Sequence, residues 1–285
     1  MTPPGAPRRI RLIATDIDGT LLDSAGQVPP ANLEALAAAA RAGVHLAVAT
    51  GRSFSFAQPP VAGVADPLTL IVHNGAIARM RTGETLVRRL LPRTLARDIL
   101  TATASWRPST VVLFDRPGAG HLVYDRMDWS HPNRAGFRER NRHLIAEVAA
   151  LEDALDEDPI QVAFNGGVEE MRRLQAELAA LPAAGDLAIS VAEYPHRDFC
   201  LVDVCSAGTT KGSALASVAD ALGLARDEVM AIGDNHNDRE MLEWAGVGVV
   251  MGNAEPGLFH DGFHRTASND EAGLALAIRR FILGN

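Results

Sequence analysis

The sequence is poor in aromatic residues and cysteines, and it has no long apolar segment. Aromatic residues make up 5% of the 285 positions, so we expect a core built from aliphatic side chains. Two cysteines, Cys200 and Cys205, are too few for a disulfide framework or for a zinc site of their own. We interpret them as reduced thiols on a strand and expect a cytoplasmic location. No apolar run approaches the ~20 residues that a membrane-spanning helix requires.

Basic residues are outnumbered by acidic ones, 27 to 35, so the formal net charge is −8 at pH 7. A protein that binds nucleic acid needs a basic face, and binding to an anionic membrane surface makes the same demand. Both partners are therefore disfavoured. A composition with 47% hydrophobic and 22% charged residues is typical of a globular protein, and the length favours two domains.

Hydrophobic runs alternate with helical patterns at both ends of the sequence. A strand that ends at Asp16 is followed by a helix at 30–42 and by buried strands at 44–49 and 68–72, and a similar order resumes from Lys211. Strand, helix and strand at this spacing indicate βαβ units with right-handed crossovers. We therefore predict an α/β fold with a Rossmann-like parallel-sheet core.

The middle of the chain has a different pattern, in which short strands joined by turns are mixed with helices. This mixture favours an α+β domain inserted into the core rather than further βαβ units. We predict that the insert spans 84–196 and that the core is formed by 1–83 plus 197–285.

Two acidic residues, Asp16 and Asp18, come at the end of the first predicted strand. The carboxyl ends of parallel strands open onto the ligand crevice, and residues two apart on a strand share a face, so both side chains could approach one substrate. One carboxylate could act as a nucleophile and the other as a proton donor and then acceptor. Asp-Gly-Thr is also a common turn sequence, so this segment alone fits a simple turn.

Thr50 and Gly51 follow the next buried strand, and Lys211 begins a helix of the resumed core pattern. A hydroxyl and a main-chain amide in such a turn can cradle a phosphate, although a helix cap is the simpler interpretation of Thr50. A lysine in the first helical turn is unfavourable with the helix dipole unless an anion lies beside it. A solvated lysine fits this segment equally well.

The strongest acidic segment follows a buried strand of the resumed core and carries Asp234, Asn237 and Asp238. If this segment shares a crevice with the first two aspartates, four negative charges meet the ammonium of Lys211. Carboxylates this close require further cations, and an oxygen-only ligand set favours Mg²⁺ over zinc or copper. The sequence therefore predicts a magnesium site that attracts a phosphate dianion.

These motifs resemble, in order and spacing, those of the haloacid dehalogenase (HAD) superfamily, in its Cof-type sugar-phosphatase branch, subclass IIB. The resemblance covers nearly the whole chain. It rests on the segments Asp16-Ile-Asp-Gly-Thr-Leu-Leu, Ala49-Thr-Gly-Arg, Asn74-Gly-Ala, Lys211-Gly and Gly233-Asp-Asn-His-Asn-Asp-Arg-Glu-Met-Leu. It implies that the insert is a cap domain that selects the substrate.

The resemblance further implies a phosphoric monoester hydrolase that uses Mg²⁺ to cleave small phosphorylated metabolites. Asp16 would attack phosphorus and carry an aspartyl phosphate, while Asp18 would protonate the leaving oxygen and then activate water. Mg²⁺ would be held by the Asp16 carboxylate, the Asp18 main-chain carbonyl and the Asp234 carboxylate. Asp238 would orient Lys211 or a metal-bound water. Four residues would contact the phosphoryl group: Thr50, Gly51, Lys211 and Asn237.

Other functions stay open at this point. They are a phosphosugar mutase on the same scaffold, a phospho-acceptor signalling module, and a metabolite-binding protein without catalysis. A signalling module would be shorter and would lack the second acid at Asp18. We expect a monomer or a small homo-oligomer. Sugar phosphates, a flavin-precursor phosphate and pyridoxal phosphate are all possible substrates, and the cap offers contact candidates that the sequence does not rank: Asp128, Trp129, His131, Glu193, His196 and Arg197.

Overall fold

The structure is a computed structural model that describes residues 9–260 and 262–284, and the chain divides into two compact units. The first unit contains the chain up to Arg88 and from Thr209 onward, and the second unit is Arg89–Gly208. The sequence analysis predicted that the insert spans 84–196. The observed unit begins and ends later, because the strand that ends at Arg88 pairs within the first unit, whereas the strand that ends at Ser206 pairs within the second.

The first unit contains an eight-stranded sheet and the second a six-stranded sheet. Numbered along the chain, the strands are β1 Leu12–Thr15, β2 His45–Ala49, β3 Leu68–Val72, β4 Ile77–Met80, β5 Thr85–Arg88, β6 Thr110–Leu113, β7 Leu122–Tyr124, β8 Ile145–Glu147, β9 Gln161–Gly166, β10 Leu187–Tyr194, β11 Phe199–Ser206, β12 Val229–Gly233, β13 Val247–Val250 and β14 His264–Arg265. The helices are α1 Pro30–Arg41, α2 Phe54–Ala57, α3 Arg93–Ala102, α4 Pro132–Asn141, α5 Val168–Ala179, α6 Lys211–Ala221, α7 Arg239–Trp244 and α8 Gly273–Ile278.

The sheet of the first unit has the order β14-β13-β12-β1-β2-β3-β4-β5. Every pair from β14 to β3 is parallel, and only β4 and β5 join antiparallel at one edge. The central strands are buried along their whole length, as expected of a parallel sheet covered by helices on both faces. Helix α6 packs against α7, and α1 packs against α8. The predicted α/β fold with a parallel-sheet core is confirmed.

The sheet of the second unit has the order β10-β11-β9-β6-β7-β8, and only β7 and β8 pair in parallel. Helices α3 and α5 cover one face of this sheet. They pack on every second residue of its strands, such as Val112, Phe164 and Val202. This unit is therefore an α+β domain, as predicted.

Several strands escape prediction from sequence, among them β4, β5 and β9. They are short or interrupted by polar residues, and their pairing with distant strands defines them. Cys200 and Cys205 are free thiols buried on β11, as interpreted from the sequence. Within the described residues, no helix combines the length and the apolar character that crossing a bilayer requires.

Candidate active site

The predicted site residues lie on loops that follow the parallel strands β12, β1 and β2, and at the start of α6, and the loop after β3 lies beside them. The strands are neighbours in the sheet, so their carboxyl ends bring the loops side by side. Main-chain hydrogen bonds fix the loops in place. The amide of Asp16 donates to Ile232 (3.1 Å), that of Thr50 to Ile71 (2.8 Å), and that of Asn74 to the carbonyl of Thr50 (3.1 Å).

Lys211 is the first residue of α6, and the start of this helix places it at the centre of the site. The helix is capped by Thr210, whose hydroxyl accepts the amide of Ser213 at 3.0 Å, while the Ser213 hydroxyl accepts the amide of Thr210 at 3.2 Å. The Lys211 ammonium donates to Oδ1 of Asp16 and to Oδ1 of Asp238, both at 2.7 Å. Its side chain is 1% exposed. It is also the single lysine of a chain that contains 26 arginines.

Asp16, Asp234 and Asp238 form an acidic cluster in which one carboxylate oxygen of each residue lies within 4.8 Å of the others. Asp238 is fixed by the main-chain amides of Asp234 and Asn235, which both donate to its Oδ2 at 3.0 Å. Asp234 Oδ1 accepts the hydroxyl of Thr20 at 2.6 Å. Among the described residues, Oδ2 of Asp16 and Oδ2 of Asp234 have no hydrogen-bond donor, so these are the oxygens that could bind a cation.

The acidic cluster has three carboxylates for one ammonium. Burial raises the pKa of Asp16 to about 8 against the attraction of Lys211. Burial also raises the pKa of Asp234 to about 7 against the hydrogen bond from Thr20. For Lys211, burial acts to lower the pKa, but the carboxylates of Asp16 and Asp238 outweigh it and the net shift is upward. The lysine therefore stays charged, and the cluster still favours a further cation. Oxygen ligands of this kind suit a hard divalent ion.

Gly19 allows the loop after β1 to pass close to the acidic cluster. Its φ is +85°, a left-handed conformation that side chains other than glycine rarely adopt. A Cβ at this position would lie 2.3 Å from Oδ2 of Asp234. Glycine is thus required both by the backbone conformation and by the space that the aspartate occupies.

Asp18 lies outside the acidic cluster. The sequence analysis put Asp16 and Asp18 on one face of a strand. That argument is wrong, because β1 ends at Thr15 and Asp18 belongs to the following loop. Its carboxylate accepts Nη2 of Arg52 at 2.5 Å and Nε at 2.9 Å, and its side chain is 58% exposed. Arg52 had no predicted role, since 34 residues separate the two partners and no local pattern reveals their contact.

Thr50, Gly51 and Asn237 come together around Asn74. Oδ1 of Asn74 accepts Nδ2 of Asn237 at 3.2 Å, and a Cβ at Gly51 would lie 3.1 Å from the same oxygen. Thr50 is buried, and its hydroxyl oxygen accepts the amide of Arg52 at 3.1 Å. Asn74 stands in a motif quoted from the sequence but received no role there. The structure shows that it links the loops after β2 and β12.

Three consecutive residues of the loop after β3 have left-handed backbones: His73, Asn74 and Gly75, with φ values of 50°, 52° and 106°. Residues other than glycine hold this conformation at a cost and keep it where the surroundings enforce it, often at functional sites. Here the amides of His73 and Asn74 donate to the carbonyls of Arg52 and Thr50. The strained loop is therefore held against the loop after β2.

The candidate contacts in the second unit have different surroundings. Glu193 accepts two hydrogen bonds from Arg172, at 3.0 and 2.9 Å, and Asp128 accepts the amide and hydroxyl of Ser130. Trp129 instead lines a cavity inside this unit. Of these three candidates, Trp129 is the one placed to contact a small molecule inside that cavity.

Comparisons with known proteins confirm the resemblance. A family model described as haloacid dehalogenase-like hydrolase matches residues 13–278. The chain is 35% identical to the HMP-PP phosphatase of Serratia proteamaculans over 87% of this chain and 86% of that protein. It is 29% identical to the pyridoxal phosphate phosphatase YbhA of Escherichia coli, over 86% and 89% of the two chains.

Solved structures agree with the fold. BT1666 from Bacteroides thetaiotaomicron, described among phosphatases of the HAD superfamily, superposes with a TM-score of 0.78 at 24% identity, over 99% of this chain and 98% of that one. The sugar phosphatase BT4131, a member of HAD subclass IIB, superposes with a TM-score of 0.72 at 23% identity, over 95% and 98% of the two chains.

Proposed function

The chain belongs to the haloacid dehalogenase-like hydrolases, and on that premise we propose that it is a Mg²⁺-dependent phosphatase that acts through an aspartyl phosphate on Asp16. The curated relatives named above are phosphatases, which supports hydrolysis of small phosphorylated metabolites. The observation that carries the proposal is the buried Lys211 ammonium, held between Asp16 and Asp238 beside Asp234 at the carboxyl ends of the strands.

The donor set fits Mg²⁺. The acidic cluster offers oxygen ligands only, with the unpaired oxygens of Asp16 and Asp234 as the available carboxylate donors. The main-chain carbonyl of Asp18 is the third proposed ligand. When bound, Mg²⁺ would offset the excess negative charge and draw electrons from the phosphoryl group. Asp238 accepts Lys211 and two main-chain amides, so we assign it the role of positioning the ammonium.

We propose that Asp16 is the nucleophile. One oxygen of its carboxylate would form a bond to phosphorus as the bond between phosphorus and the leaving oxygen breaks, and the other oxygen would remain with the bound cation. Thr50, Gly51, Lys211 and Asn237 would hold the phosphoryl oxygens. The leaving group would depart as an alcohol after receiving a proton from Asp18. Water would then attack the aspartyl phosphate, return a proton to Asp18, and release inorganic phosphate with Asp16 regenerated.

Arg52 would position Asp18, and one of its two hydrogen bonds would open whenever Asp18 carries the transferred proton. The two side chains meet through two parallel hydrogen bonds, an arrangement that fixes the plane of the carboxylate. The second unit, Arg89–Gly208, would act as the cap that selects the leaving group, because insertion into the core leaves it free to vary without disturbing the strand-end loops.

Removal of divalent cations should abolish turnover of p-nitrophenyl phosphate, and added Mg²⁺ should restore it. Asp234→Asn should raise the Mg²⁺ concentration required for half-maximal activity by more than the roughly 10–100-fold typical of residues that only support a metal ligand. Phosphate release as a function of Mg²⁺ concentration measures this, and the released phosphate also separates a hydrolase from a mutase.

The matched control is Asp220→Asn, which removes an exposed carboxylate at the far end of α6. It should leave the Mg²⁺ requirement unchanged. Mg²⁺ should also raise the thermal unfolding midpoint of the wild type but not that of Asp234→Asn. Full activity in EDTA, or an Asp234→Asn enzyme with a normal Mg²⁺ requirement, would contradict the proposed metal site.

Asn74→Gly should separate stability from phosphate binding. Glycine accepts the positive φ without strain, so the unfolding midpoint should stay the same or rise. Loss of the side chain removes the hydrogen bond to Asn237, which contributes about 0.5–1.5 kcal/mol, so inhibition by inorganic phosphate should weaken by roughly threefold to tenfold. The inhibition constant and the unfolding midpoint are measured on the same preparation.

Ala272→Gly is the matched control, because Ala272 also has a positive φ, 54°, but lies outside the site. It should gain stability and keep the wild-type inhibition constant. If both glycine variants bind phosphate like the wild type, Asn74 does not position the phosphate loops.

A further inference from the structure

The second unit contains a cavity of about 200 Å³ on the face of its sheet opposite α3 and α5. Val123, Phe164 and Cys200 point into the core beneath those helices, whereas their neighbours Tyr124, Asn165 and Phe199 line the cavity. Residues of α4 close the other side. The cavity is thus built entirely from residues of Arg89–Gly208.

Aromatic side chains dominate its walls. The chain has nine Phe, three Trp and two Tyr, and four of these fourteen residues line this one cavity: Tyr124, Trp129, Phe137 and Phe199. Tyr124 and Trp129 meet edge to face, with ring centroids 4.8 Å apart. Because aromatic residues make up 5% of the chain, this concentration indicates a surface for stacking against a flat ligand.

The cavity also carries positive charge. Arg134 is buried, and its five N–H groups donate to oxygens of Pro108, Ser109, Asp128 and Asn165, so it contributes charge but has no donor left for a ligand. Arg140 is exposed and, among the described residues, its guanidinium has no hydrogen-bond or ion-pair partner. It is the group that can reach an oxygen of the ligand.

We propose that this cavity binds a planar heteroaromatic ring that bears an anionic or carbonyl oxygen. Stacking on the aromatic walls holds the ring, and Arg140 pairs with its oxygen. A sugar fits less well, because the apolar walls would leave most of its hydroxyls unpaired. The volume, below the ~300–1,000 Å³ of larger ligand pockets, suits a single ring.

Arg140→Gln tests the charge contact by comparing the binding of pyridoxine with that of ringless glycerol in equilibrium dialysis. The variant should bind pyridoxine about tenfold more weakly than the wild type, the scale of a lost charge-assisted hydrogen bond, and neither protein should bind glycerol. The control is Arg142→Gln, which removes an exposed guanidinium just beyond α4 that does not line the cavity. Equal effects of the two variants, or equal binding of both compounds, would overturn the proposal.

Ring binding is measured separately from catalysis by titrating the protein with pyridoxine, which has no phosphate. Tryptophan fluorescence should be quenched to saturation in the wild type, with Trp129→Phe losing the signal and Arg140→Gln binding about tenfold more weakly. Glucose at the same concentrations should have no effect. If the protein binds pyridoxine but hydrolyses no phosphomonoester, only the proposed phosphatase function is refuted. If it hydrolyses glycerol 3-phosphate but pyridoxine causes no saturable quenching, the proposed ring site is refuted.

Discussion

Asp16→Asn is expected to lower kcat for p-nitrophenyl phosphate by about 10⁴–10⁶-fold, the scale typical of removing a covalent nucleophile. The amide oxygen of asparagine can still accept the hydrogen bond that Lys211 donates to Oδ1 at 2.7 Å, so the architecture of the site should persist. What disappears is the carboxylate oxygen that attacks phosphorus. Single-turnover experiments with rapid quenching should detect no burst of p-nitrophenol in the variant.

The same substitution should increase stability at high pH. Burial raises the pKa of Asp16 from its ordinary 3.8 to about 8, so the native state holds this proton more tightly than the unfolded state does. Stability is therefore lost as the pH rises between these two values, and a neutral asparagine avoids that loss. In EDTA, Asp16→Asn should unfold at a higher temperature than the wild type at pH 8, and the difference should shrink toward pH 4.

Asp220→Asn again serves as the control, since it changes the net charge equally at an exposed position. It should retain full activity and show no pH-dependent gain in stability. Substantial turnover by Asp16→Asn would exclude an aspartyl phosphate at this residue. Loss of activity accompanied by unfolding at every pH would show that the carboxylate is structural, which the burial and the charge excess of the acidic cluster argue against.

The parts of the site that the sequence predicts well are those set by chain direction. Asp16 and Asp234 follow buried apolar strands, and such strands in a parallel sheet deliver their carboxyl ends to one edge, so local pattern and topology place them together. Lys211 follows from the helix start, because Thr210 and Ser213 form a capping box that fixes the first residue of α6. These positions can be predicted without knowledge of contacts between residues distant in the sequence.

The parts that escape prediction depend on contacts between distant loops. The pairing of Asp18 with Arg52 and the left-handed backbone of Asn74 arise from tertiary hydrogen bonds, which no periodicity records. The strand β11 illustrates the same limit in the second unit. Its apolar pattern identifies it as a strand, but its pairing with β9 and β10, which places it in the second unit, appears only in the folded chain.

One compositional signal for the site is visible without any structure. The chain uses arginine at 26 positions and lysine at one, and that one is Lys211. Arginine presents a planar fork of donors, whereas lysine presents a compact charge with three rotatable donors. A site that must direct one ammonium between two carboxylates and a phosphoryl oxygen requires the compact form. The exception to the general use of arginine therefore indicates a position where the shape of the cation matters.

Lys211→Arg should accordingly fail to support catalysis even though it keeps the positive charge. The lysine side chain is 1% exposed, and its nitrogen lies 2.7 Å from both Asp16 and Asp238, so a guanidinium must displace its neighbours. Forced packing of this kind costs about 1–3 kcal/mol. We expect kcat to fall by roughly 10²–10³-fold, the scale seen when one donor to a transition-state oxygen is lost. Steady-state kinetics on p-nitrophenyl phosphate measure this.

Lys211→Met separates charge from shape, because methionine fills a similar volume without an ammonium. Two buried carboxylates then lose their partner, and breaking a buried ion pair in this way costs about 3–5 kcal/mol. Adding Asp238→Asn removes one uncompensated carboxylate, so the double variant should regain part of the lost stability and none of the activity. Denaturant unfolding in EDTA at pH 8 gives both free energies. If Lys211→Arg were to turn over at the wild-type rate, the ammonium would have no special role, and the charge balance on which the proposed catalysis depends would have to be met by another group.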